Sequence, residues 1–77
     1  MPTFERITHN PAVMGGKPCI RGMRVTVGTI LGLLAVGRQP AEILAAYPYL
    51  EGDDITATLN YAAWRMEERE GILTAGS

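Results

Sequence analysis

Apolar residues change their spacing near residue 26, and that change divides the chain. Before it, short apolar or β-branched runs at 4–8, 18–21 and 24–27 are separated by turn signals, Asn10-Pro11 and Met14-Gly15-Gly16-Lys17-Pro18. Such runs predict a small β-hairpin or extended arm over residues 1–26, with Gly22 supplying a bend. Beyond it, Val27, Ile30, Leu31 and Leu34 recur at i, i+3, i+4 and i+7, one face of a helix. Thr26 is placed to cap its start, and Gly37 to close it in a left-handed conformation. Gly28 and Gly32 inside this helix either cost up to ~1 kcal/mol each or give room for another backbone.

A short second helix opens at Pro40, where a missing N–H is no loss, and buries Ile43, Leu44 and Tyr47. Pro48 ends it by pushing the preceding residue out of the α region. The third helix is predicted over 53–70, with Ile55, Leu59, Ala62, Ala63 and Met66 as its core stripe. Asp53 or Asp54 suits its positive end, and Gly71 its stop. Residues 71–77 read as a flexible tail. The fold class expected is mainly α: one domain, with a β arm (1–26) ahead of a three-helix bundle (27–70). Short helix, turn, longer helix is the order of a helix-turn-helix, which lays its last helix in the DNA major groove. On that reading Thr56 and Asn60 face base edges and Arg65 reaches a phosphate. The alternative is a protein-only interaction module that never touches DNA.

Composition narrows these choices. At 77 residues and 47% hydrophobic, the chain supports one small core. A homodimer is expected, because the core is small and the arm has strand edges to pair. The formal net charge is −1 but unevenly placed. Arg6, Lys17, Arg21, Arg24 and Arg38 against Glu5 give +4 as far as Arg38; two arginines against seven carboxylates give −5 beyond it. This asymmetry suits a face for an anionic partner, head-to-tail pairing, or a plain solvated surface. Lys17, Arg21 and Arg24 are the candidate anion contacts. The competing role is to tie the arm to the bundle through Glu42 or backbone carbonyls.

Cys19 and His9 stand alone as their types, so a disulfide or Cys/His zinc site within one chain is excluded. Neither has a partner nearby that would make a nucleophile–base pair, and no catalytic residue, metal, cofactor or small-molecule substrate is expected. The acidic run Glu67-Glu68-Arg69-Glu70 offers no carboxylate pair in an apolar setting for acid/base work. No apolar stretch approaches the ~18 residues of a membrane span, and the start lacks a secretory pattern. A cytoplasmic protein is expected.

The stretches Ile7-Thr8-His9-Asn10-Pro11 and Gly16-Lys17-Pro18-Cys19-Ile20-Arg21-Gly22-Met23-Arg24-Val25 carry a more specific signal, continued at Glu42-Ile43-Leu44, Tyr47-Pro48 and Asp54-Ile55. Through them the chain resembles the bacterial domain of unknown function 433 family over roughly residues 4–66. The resemblance implies a homeodomain-like three-helix fold behind a β arm. It also implies an antitoxin of the VapB kind, which binds its own operator and neutralises a PIN-like ribonuclease toxin encoded beside it.

Overall fold

The computed structural model describes residues 4–73, and the side chains of residues 4–67. Three helices, α1 (Val27–Ala35), α2 (Pro40–Ala46) and α3 (Gly52–Leu73), follow an arm in which β1 (Ile7–Thr8) pairs antiparallel with β2 (Cys19–Ile20). Ile7 lies opposite Ile20, and Thr8 opposite Cys19. The strands are shorter than the apolar runs predicted. Pro18 has no N–H to give a ladder, and the chain before β1 is spent on a turn that closes Ile7 N–H on the Phe4 carbonyl (3.0 Å).

The far edge of β2 is already used. Ile20 N–H donates to the Val25 carbonyl (2.9 Å), and Cys19 bridges to Thr26. Between them, Arg21 (φ +45°) and Gly22 (φ +74°) make a tight turn closed by Met23 N–H on the Ile20 carbonyl (2.8 Å). Glycine takes this left-handed backbone freely; arginine does so only under constraint.

Helix ends follow the sequence signals. The Thr26 hydroxyl accepts Thr29 N–H (3.0 Å), capping α1. Gly37 (φ +93°) closes it: Gly37 N–H reaches the Leu34 carbonyl and Arg38 N–H the Leu33 carbonyl, both at 3.0 Å, a Schellman arrangement. Pro40 opens α2, and Glu42 reaches back to Gln39 N–H (2.8 Å). The core joins Ile7, Ile20 and Val25 of the arm to Val27, Ile30, Ile43, Leu50, Ile55 and Tyr61. The arm is therefore part of the core.

The third helix departs from expectation. It starts one residue early and runs through Gly71 to Leu73, because a single glycine costs a helix about 1 kcal/mol but does not stop it. The rest of the predicted tail, 74–77, lies outside the described residues. Its buried face is also rotated. Ile55 is in the core, but Leu59 is 48% and Met66 54% exposed, and Ala63 is exposed too. Asp54, Thr58 and Tyr61 take the inner positions. The two polar ones are satisfied there: the Thr58 hydroxyl donates to the Asp54 carbonyl (2.9 Å), while the Asp54 carboxylate holds two arginines.

Two outcomes follow for stability. Ile55→Asp buries an unpaired charge and should abolish the folded state, whereas Leu59→Asp should move stability by no more than about 0.5 kcal/mol. Thermal melts of the two variants check this; equal losses would contradict the register. A Cβ on Gly32 would meet open space, so no backbone uses the room. Gly32→Ala should therefore raise stability by about 0.5–1 kcal/mol in chemical denaturation.

Candidate functional site

The polar centre of the molecule is Asp54, 1% exposed, in the first turn of α3. Its carboxylate accepts Glu51 N–H (2.8 Å), the return half of a capping box. Arg6 Nη1 donates to its Oδ1 at 2.8 Å. Arg21 Nη2 donates to its Oδ2 at 3.0 Å, with Nε shared between the two oxygens at 3.1 and 3.3 Å. Arg21 also donates to the Tyr49 carbonyl (2.8 Å), and Arg6 to Glu51 (2.8 Å), with Asp53 at 3.7 Å. Arg21 accepts its left-handed backbone in order to aim this fork at α3.

Burial would raise the Asp54 carboxyl pKa. Hydrogen bonds from Arg21, then Arg6, then the Glu51 amide outweigh that effect and hold it below its ordinary value. Both arginines are raised in turn, Arg6 chiefly by its bond to Glu51 and Arg21 by its bond to Asp54.

Lys17, Arg21 and Arg24, grouped as one anion site by sequence, therefore divide. Arg21 ties the arm to α3, through Asp54 and the Tyr49 carbonyl. Glu42, the partner expected from sequence, faces Arg38 at 3.7 Å instead. Lys17 and Arg24 are exposed. Lys17 lines a shallow groove with Pro18, Thr26, Gly28 and Thr29 at the start of α1. Sequence reasoning missed Arg6 and the buried role of Asp54; neither has a local signature, since the bonds span 48 and 33 residues.

The three candidate DNA contacts are not on one face. Thr56 and Asn60 are exposed and line an open groove with Phe4, Glu5, Arg6, Asp53 and Ala57. The Thr56 hydroxyl turns back to the Gly52 carbonyl (3.4 Å). Arg65, nine residues on, lies about half a turn away around the helix. Its guanidinium stands 5.9 Å over the Trp64 ring. Around Thr56 and Asn60 stand the acids Glu5, Asp53 and Glu67, and Arg6 beside them is held by Glu51, Asp53 and Asp54.

His9 Nε2 lies 3.1 Å from the hydroxyl of Tyr61, and Phe4 meets Tyr61 edge-on, centroids 5.3 Å apart. Cys19 is buried with its Sγ on the Lys17 carbonyl (3.3 Å). Both therefore have structural partners. Among the described residues, no three His, Cys, Asp or Glu side chains form a group that could hold a metal.

Three comparisons place the chain among known proteins. Residues 7–62 match the family model described as a protein of unknown function (DUF433). The uncharacterized protein y4eO of Sinorhizobium fredii (strain NBRC 101917 / NGR234) is 34% identical over 58 residues, 75% of this chain and 26% of that protein. The chain thus spans about a quarter of the length of the curated relative it matches. The crystal structure of a DUF433 member protein from Anabaena variabilis ATCC 29413 superposes with a TM-score of 0.77 at 30% identity, covering 91% of this chain and 69% of that one.

The buried carboxylate sets a pH dependence. A group whose folded pKa is depressed stabilises the fold above its unfolded pKa, and that contribution fades as pH falls through the folded value. Asp54→Asn should cost about 2–3 kcal/mol at pH 7, the low end for breaking a buried pair, because the arginines regain water. The gap from wild type should narrow below about pH 4 and close in stronger acid. Denaturation curves across that range check it; a gap independent of pH would contradict the lock.

Proposed function

The chain belongs to the DUF433 family of unknown function, and from that premise we propose that it is a non-enzymatic, antitoxin-like domain that acts by holding a protein partner. The observation that carries this reading is the outer face of α3. Leu59 and Met66 hold positions that a core stripe would occupy, yet both stand about half exposed. Val36 and Tyr49 are exposed as well, but among the described residues only on α3 do two large apolar side chains stand at helical spacing on one face, which offers a partner a continuous surface. The groups that chemistry would use are engaged by the fold: His9 by Tyr61, Cys19 by burial, Asp54 by two arginines.

The partner class is a PIN-like ribonuclease encoded beside this chain. Its active-site carboxylates would be met by Lys17 and Arg24, exposed cations of the arm that, unlike Arg21, are not tied to Asp54. There the arginine fork would compete with a metal ion for the carboxylates and so silence the enzyme.

A second reading, operator binding by a two-fold dimer, is favoured by the order of α2 and α3 and by the exposure of Thr56 and Asn60. Charge puts it second. Glu5, Asp53 and Glu67 surround that face and Arg6 beside them is engaged by carboxylates, where a DNA-reading helix needs free cations against phosphate.

The test is RNA cleavage by the neighbouring ribonuclease in the presence of this protein. Wild type should suppress turnover. Lys17→Ala with Arg24→Ala should restore it without lowering the melting temperature, whereas Arg21→Ala should lower the melting temperature. Undiminished cleavage with wild type would overturn the proposal. A preference of ~10³-fold for upstream over scrambled DNA would install the second reading in its place.

A further inference from the structure

Leu59, Ala63 and Met66 stand at i, i+4 and i+7 on α3, so they fall within about 60° of one another in a straight row about 10 Å long. All three are exposed. The row crosses the middle of α3, on its exposed side. At 22 residues α3 is about 33 Å long, whereas α1 and α2, at 9 and 7 residues, reach about 13 and 10 Å. Met66 also lies beyond residues 7–62, so the row extends past the segment that identifies the family.

A straight apolar row of two turns fits a helix laid alongside, which presents its own anchors at i, i+3 or i+4, and i+7. Methionine suits such a surface, because its flexible thioether adapts to the shape of the incoming side chain. The row is bordered on one side by Asp53 and Glu67; Arg6 lies in the groove beside Asp53, but it is shared among Glu51, Asp53 and Asp54, so that border remains acidic. Leaving out Asp54, which is buried between Arg6 and Arg21, α3 by sequence holds four carboxylates and two arginines, a net charge of −2. A second α3 would set like charges against each other, which disfavours a second copy of this chain as the occupant. A helix with lysine or arginine beside its apolar anchors meets the opposite sign.

Resting on the partner-binding reading above, we propose that the Leu59–Ala63–Met66 row of α3 is the docking surface for a basic amphipathic helix of the partner protein. The apolar row supplies the anchors. Glu67 and Asp53 set the choice of sign and speed the encounter, so affinity falls as salt rises.

The probe is a 14-residue leucine–lysine amphipathic peptide, titrated into the full chain and followed by methyl NMR. The leucine–lysine peptide should shift the Leu59, Ala63 and Met66 methyl signals, and a leucine–glutamate peptide of the same pattern should leave them in place. Leu59→Ser, which keeps the fold because the side chain is half exposed, should weaken binding by about tenfold or more. Equal response to both peptides, or shifts confined to other surfaces, would overturn the proposal. So would a concentration-dependent dimer, seen by sedimentation, that Leu59→Ser disperses; the occupant would then be a second copy. Ribonuclease suppression that persists without peptide binding would reject this surface alone. Peptide binding at the row without suppression would reject the antitoxin-like reading alone.

Discussion

Everything in this molecule is arranged around one buried carboxylate. Asp54 sits at the start of the longest helix, out of contact with water, and a charge there is tolerable only because the Arg21 fork, a bond from Arg6 and a backbone amide satisfy it. Those arginines come from the two strands of the arm. Arg6 precedes β1 and Arg21 follows β2, which is the same end of the antiparallel pair, where Arg21 N–H donates to the Arg6 carbonyl (2.8 Å); one carboxylate therefore holds both strands of a sheet only two residues long. Two such strands would not persist alone in water. The ion cluster, the isoleucines of the arm and the contact of Phe4 with Tyr61 and Trp64 make the arm inseparable from the bundle.

This constraint also decides which surfaces are free. Positive charges that look available for an anion in the sequence are split by it: Arg6 and Arg21 are committed inward, Lys17 and Arg24 are not. Turning Asp54 and Thr58 inward rotates α3 about its axis, and the rotation brings Leu59 and Met66 outward. The exposed apolar row is thus a consequence of the lock, and the two features belong to one design.

Much of the fold was legible because its signals are local. Thr26, Gly37 and Pro40 each act within a few residues, through a cap, a left-handed closure and a fixed φ, and each appears where its chemistry demands. The inner face of α3 was not legible for the opposite reason. Periodicity selects Ile55, Leu59, Ala62, Ala63 and Met66, and no local rule places an aspartate in the core. Its two partners lie 48 and 33 residues away in the chain. Thr58 is hidden in the same way, since its hydroxyl bonds back to the Asp54 carbonyl and hence needs no water. At the candidate site, the outward placement of Thr56 and Asn60 could be read from helical spacing. The separation of Arg65 from them was equally readable, since nine residues is two and a half turns. The commitment of Arg21 to the interior had no signal short of the fold itself.

Held through Asp54, arm and bundle should open as one unit. Native-state hydrogen exchange tests it most directly, by comparing the Ile20 amide, which bonds Val25 in the arm, with the Thr58 amide inside α3. The account predicts the same opening free energy for both, equal to that of global unfolding. An Ile20 amide that exchanges through a much cheaper opening, while Thr58 stays protected, would show the arm detaching on its own and would contradict it.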